Sequence, residues 1–132
     1  MRKLLRAKIH RATITQADLH YEGSITIPPS LLEASGILEY EAVNVWNVTS
    51  GTRFETYAIT GRREGEICVN GAAAHLVTPG DLVIVAAFSY FTEKGLLNFK
   101  PKLVFVDENN RVKELRSEVP GPDLSPGQTV SV

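Results

Sequence analysis

A chain of 132 residues can form one compact domain with a buried core and is too short for two. With 43% hydrophobic and 22% charged residues the composition is that of an ordinary globular protein, not of a disordered or fibrous one. A formal net charge of −1 gives no general electrostatic case for binding nucleic acid or anionic membranes.

The dominant period along the chain is two, with β-branched residues throughout. Lys3 to Thr15 alternates and reads as a strand, carrying most of a basic cluster, Arg2, Lys3, Arg6, Lys8 and Arg11. Such a run is most often a solvated strand face. Ser24 to Ile27 is a second strand, stopped by Pro28-Pro29. Ser30 to Ser35 follows as a short helix, with proline at its start and Gly36 at its left-handed end. Ala42 to Val48 and Thr52 to Ile59 predict a hairpin joined by Thr49-Ser50-Gly51. Glu66 to Asn70 is a short strand, where Cys68, the only cysteine, reads as a buried, inert thiol and rules out an internal disulfide. Gly71 to His75 predicts a single helical turn. Leu82 to Phe91 is the most apolar segment and reads as a central strand. Lys102 to Val106 and Arg111 to Leu115 flank a turn at Glu108-Asn109-Asn110.

From Ser117 onward proline, glycine and serine dominate, so residues 1–116 are expected to form the domain and 117–132 a flexible tail. Many short strands with few helices indicate a mainly β fold, a small closed barrel without free edges. No apolar run reaches membrane-spanning length and no secretory signal is read at the start of the sequence, so no membrane partner and a cytoplasmic location are expected.

Several residue groups can carry chemistry, and each has a plainer reading beside it. Alternation places Arg6, Lys8 and His10 on one face of the first strand, where Lys8 can bind a carboxylate as a point charge and His10 can serve a polarised carbonyl. The plainer reading is a basic outward face. Arg53, Glu55 and Tyr57 share a face of a later strand: the arginine fork matches a carboxylate and the phenol can deliver a proton. An Arg–Glu pair beside a packed tyrosine explains the same residues. On a regular strand Thr56 points the other way, so its joining that site requires a bulge, a twist or a second subunit. Asn70-Gly71-Ala72-Ala73-Ala74-His75 has almost no side chains, which lets a ligand approach the backbone; a tight core turn is the alternative.

The Gly23-Ser24 bond is the only Gly-Ser step in the chain. A serine hydroxyl can attack the preceding carbonyl and move the acyl group from nitrogen to oxygen. Glycine before it leaves that carbonyl unobstructed and tolerates strained dihedrals. The oxyanion formed needs donors such as a threonine hydroxyl, a histidine or a water.

Taken together, Lys8-Ile9-His10-Arg11, Thr15 to Ser24, Gly36-Ile37-Leu38, Trp46-Asn47-Val48-Thr49, Thr56-Tyr57-Ala58-Ile59 and Asn70 to His75 resemble the aspartate 1-decarboxylase family from about Leu4 to Val106. The resemblance implies a six-stranded double-psi β-barrel and a homotetramer with sites at subunit contacts. It further implies self-cleavage into residues 1–23 and 24–132, leaving a pyruvoyl cofactor derived from Ser24 and no metal. That group forms a Schiff base with L-aspartate, whose decarboxylation to β-alanine feeds pantothenate and coenzyme A synthesis. By the same resemblance Tyr57 is the proton donor, and Arg53 and Lys8 bind carboxylates. Thr56 with the Gly71-Ala72-Ala73 backbone completes the substrate pocket, while Gly23, Ser24, His10, Tyr21, Thr56 and Asn70 serve the cleavage. Spontaneous maturation and a maturation factor are both open. The rival expectation is a non-catalytic or unprocessed barrel of the same fold that binds or assembles. Two departures stand out: Ile25-Thr26-Ile27-Pro28-Pro29 after the cut is less polar than is common in the family, and shorter members lack residues 117–132.

Overall fold

The computed structural model describes residues 1–121, so most of the expected tail, residues 122–132, lies outside the described part. Nine strands form among these residues. They are β1 (Arg2–Thr13), β2 (Gln16–Asp18), β3 (Ser24–Ile27), β4 (Ala42–Asn47), β5 (Arg53–Thr60), β6 (Cys68–Asn70), β7 (Leu82–Phe91), β8 (Lys102–Val106) and β9 (Val112–Leu115). One helix, α1 (Pro29–Ser35), and two 3-10 turns, Gly71–Leu76 and Lys94–Leu96, complete the secondary structure. The expected mainly β architecture is therefore formed. No helix among the described residues is long and apolar enough to cross a membrane.

The strands follow the order β2-β6-β3-β5-β4-β7-β1-β8-β9. Three pairs, β1–β8, β2–β6 and β3–β5, are parallel between strands distant in sequence, and the others are antiparallel. The ladder does not close on itself, and its crossed, mixed topology is compatible with a barrel. Two register shifts against β7, between Leu5 and Ala7 and between Ile9 and Ala12, bend β1, and Arg11 takes a positive φ of 62° in the second.

Alternation builds the core. Ala7 and Ile9, Ile25 and Ile27, Val43 and Val45, and Val83 and Val85 are completely buried. Each fully buried valine or isoleucine side chain stabilises by about 1.5–3 kcal/mol relative to leaving it exposed. Helix α1 starts on proline and stops at Gly36, whose φ of 75° lets its N–H bond Leu32 O at 2.8 Å. Buried asparagines fix two loops. Asn47 donates to Leu76 O and Asp81 Oδ2 and accepts from the Thr49 and Ser50 amides, which gives that motif residue a structural role. Asn110, with φ 59°, donates to Thr13 O and Gly65 O and so ties the β8–β9 turn to β1.

Candidate active site

Strands β3 and β6 run antiparallel with Ser24 opposite Asn70 and Thr26 opposite Cys68. Because side chains alternate, these four residues share one face. Asn70 Nδ2 donates to Ser24 Oγ and to Thr26 Oγ1, both at 3.1 Å, while Cys68 Sγ donates to Asn70 Oδ1 at 3.0 Å. All polar atoms of the Asn70 amide are thereby engaged. Ser24 is 3% exposed, so its hydroxyl is held rather than solvated. Burial raises the Cys68 thiol above its ordinary pKa, with Asp18 and Glu66 adding to the effect, and keeps it a donor.

The preceding residue is held by contact. Gly71, with φ 74°, opens the 3-10 turn, and a Cβ placed on it would lie 2.8 Å from Gly23 Cα and 3.1 Å from Gly23 N. Only glycine fits there on both counts. The left-handed backbone thus stands opposite Gly23 at Gly71: Gly23 itself has no positive φ, and a Cβ there would meet nothing within 4 Å. Gly23 adopts no left-handed conformation, and the steric requirement for glycine falls on its neighbour Gly71.

A cavity of about 570 Å³ opens over this face. Ser24, Thr26, Asn70, Cys68, Tyr21 and Tyr57 line it, together with the charged Asp18, Glu66, Arg62 and Arg63. Tyr57, 38% exposed, reaches it from β5, which pairs with β3 in parallel.

The remaining predicted residues stand elsewhere on the chain. Thr56 sits half-buried on the opposite face of β5 from Arg53, Glu55 and Tyr57, paired with Val43 in a regular ladder, and does not line the cavity. Arg53 lies 4.7 Å from the Trp46 ring centre in a cation–π contact instead of pairing with Glu55. Ala72 is exposed and Ala73 half-buried in the turn after Asn70.

Lys8 and His10 lie on β1, separated from β3 by β5, β4 and β7. Lys8 is 9% exposed and donates to Glu118 Oε1 at 2.6 Å. His10 packs 5.1 Å from the Phe105 ring, and its buried Nδ1 has no hydrogen-bond partner among the described residues. Burial lowers its pKa, and the charges of Lys8 and Arg11 lower it further, so the neutral ring is favoured. Arg6, on the same strand, is tied to Glu41, Ser89 Oγ and Gly36 O. One chain therefore presents two separate groups: a hydroxyl cluster around Ser24, and a basic pair on β1.

Thr26, Cys68 and Glu118 were not among the predicted site residues. The first two were legible as the i+2 and i−2 neighbours of Ser24 and Asn70 once β3 and β6 are paired. Glu118 carries no local signal.

Residues 1–113 match the aspartate decarboxylase family. The chain is 66% identical over 118 residues to the aspartate 1-decarboxylase of Legionella pneumophila strain Lens, covering 89% of each. It is 58% identical over 125 residues to that of Myxococcus xanthus, covering 92% of this chain and 96% of the relative. To that of Rhodopirellula baltica it is 55% identical over 124 residues, covering 93% and 80%. With the Ser24–Asn70 cluster present and the match running through most of its length, the chain belongs to the aspartate decarboxylase family.

Proposed function

We propose that this protein decarboxylates L-aspartate to β-alanine, in the cytoplasm and for pantothenate synthesis, after cutting its own Gly23-Ser24 bond. The observation that carries the reading is the buried Ser24 hydroxyl, fixed by Asn70 beside a Gly23 that is packed on Gly71.

In the cleavage, Ser24 Oγ bonds to the Gly23 carbonyl carbon and the C–N bond breaks, leaving an ester and a free amine at residue 24. Loss of the residue 24 α-proton expels the Gly23 carboxylate and leaves dehydroalanine. Water then replaces the nitrogen, which departs as ammonia, and a pyruvoyl group remains on the new N-terminus. Asn70 leaves the Ser24 hydroxyl proton free for a base, because it donates to the oxygen instead of accepting from it. Tyr21 flanks the cut, and His10 and Thr56 are the candidates for the oxyanion donor.

The pyruvoyl group, once formed, supplies an electron sink for the carbon–carbon bond broken in decarboxylation. The Ser24 position fits such a group: it is buried, lies at a cavity wall and has an amide donor at 3.1 Å. Tyr57 returns a proton to the carbon that loses carbon dioxide. Lys8 and Arg53 hold the substrate carboxylates, while Thr56 and the Gly71-Ala72-Ala73 backbone shape the remaining wall.

Within one chain Lys8, His10 and Arg53 stand away from the Ser24 cavity. A homotetramer in which one subunit's basic group faces its neighbour's Ser24 completes the site. Cyanoborohydride, which reduces an iminium but largely spares a ketone, is added with L-aspartate to test the reading. Mass added to the 24–132 fragment only when aspartate is present supports it, and trapping with a different amino acid but not aspartate overturns the substrate.

A further inference from the structure

Lys8 is a nearly buried ammonium with one described carboxylate partner, and that partner comes from the far end of the chain. Its strand neighbours are Ala86 on β7 and Leu103 on β8, which offer no charge. A compact, strongly hydrated cation in such surroundings requires an anion. Glu118 supplies it from beyond β9, outside any regular element, with a side chain that remains 60% exposed. The lysine is thus fixed in the sheet, and its carboxylate partner is carried on the rim.

The segment bearing Glu118 is fastened by a few side-chain contacts. The Arg116 guanidinium lies 3.8 Å over the Phe105 ring, and its Nε donates to Glu114 Oε1 at 2.9 Å. Phe105 in turn packs on His10. Arg116 to Glu118 therefore lie across the stretch of β1 that holds both Lys8 and His10.

We propose that Glu118 is a built-in carboxylate ligand of Lys8 that the substrate's carboxylate must displace, so that the Arg116–Glu118 segment sets the affinity of the site for dicarboxylates. The proposal rests on the reading of Lys8 as a substrate carboxylate ligand. Displacement exchanges one carboxylate for another, so the charge state at Lys8 is conserved and only the internal contact is lost. Because Glu118 is largely solvated, that contact weakens substrate binding by up to about fivefold. The cost falls on binding and not on the chemical step, because Glu118 pairs with the carboxylate-binding Lys8 and not with the proton-donating Tyr57.

Glu118→Gln and Arg116→Ala in the full chain test this. On cleaved enzyme, the KM for L-aspartate and the inhibition constant of succinate, a non-reacting dicarboxylate, are expected to fall about two- to fivefold. Turnover per cleaved chain stays unchanged. Unaltered or raised KM and inhibition constant in both variants, with unchanged melting temperatures, overturn the proposal. If no form of the protein cleaves or decarboxylates, the enzyme reading fails and the contact is tested by calorimetric titration of the intact chain with succinate. Tighter binding to Glu118→Gln than to the unsubstituted protein supports the displaceable ligand, and binding that is no tighter overturns it.

Discussion

Gly71 lies against Gly23 so closely that a Cβ on it would stand 2.8 Å from the Gly23 Cα. The residue before Ser24 is thus held by a backbone that only glycine can supply. Gly71→Ala must move one of the two segments and also adopt a left-handed conformation, which costs about 1–2 kcal/mol for an L-residue before any clash. The expected result is a lower melting temperature and self-cleavage slowed at least about tenfold, the equivalent of ~1.4 kcal/mol. Gly23→Ala meets no neighbour beyond its own chain neighbours, so its melting temperature should stay near that of the unsubstituted protein. Calorimetry and timed mass spectrometry read both.

The Asn70 amide has a defined orientation because the Cys68 thiol donates to its oxygen. Cys68→Ser keeps a donor at that position, whereas Cys68→Ala removes it and lets the amide turn its oxygen toward Ser24. Self-cleavage is expected to slow several-fold in Cys68→Ala and to recover in Cys68→Ser. Equal rates in all three proteins would show that the thiol plays no part.

Tyr57 and Ser24 line one cavity, but the Ser24 hydroxyl is held by Asn70 and not by the phenol. Tyr57→Phe should therefore cleave at close to the normal rate and lose decarboxylation by about 10²–10⁴-fold, the usual contribution of a positioned acid. Comparable losses in both steps would assign the phenol to cleavage as well.

If Lys8 of one subunit serves Ser24 of another, two inactive variants should complement each other. Lys8→Ala and Ser24→Ala, expressed together, place both intact halves at roughly a quarter of the sites when subunits mix at random. Recovery of about that share of activity is the expected outcome. No recovery from demonstrably mixed oligomers would confine the site to one chain.

Burial, with Lys8 and Arg11 adding to it, holds His10 below its ordinary pKa of 6.5, while Glu118 opposes the shift. Below about pH 6.5 the unfolded chain therefore binds more protons than the folded one. Stability contributed by neutral His10 is complete above that pH and declines as pH falls toward the folded value. An NMR titration should show the His10 midpoint below 6.5, and lower again in Glu118→Gln. A midpoint at or above 6.5 would contradict the described environment.

The sequence carried much of the local structure, because alternation and turn residues are local properties. Strands β3, β7 and β8 and the end of α1 at Gly36 fall where the pattern places them. The opposite faces of Thr56 and Tyr57 were also legible from alternation. Strand β2 was not, since three residues have no period and Gln16–Asp18 is extended through its pairing with β6. Cys68 is buried as expected, but its bond to Asn70 depends on the backbone of β6 and on the partner strand. The Lys8–Glu118 pair joins residues 110 positions apart, and no composition or period marks it. Long-range pairing decides these features, and a single sequence does not display it.

Mass spectrometry of the purified protein under denaturing conditions tests the central claim most directly. Two species are predicted, residues 1–23 and residues 24–132 with Ser24 converted to an N-terminal pyruvoyl group. Ser24→Ala should give only the intact chain. A single uncut species from the unsubstituted protein, after prolonged incubation with cell extract as well as alone, would contradict the account.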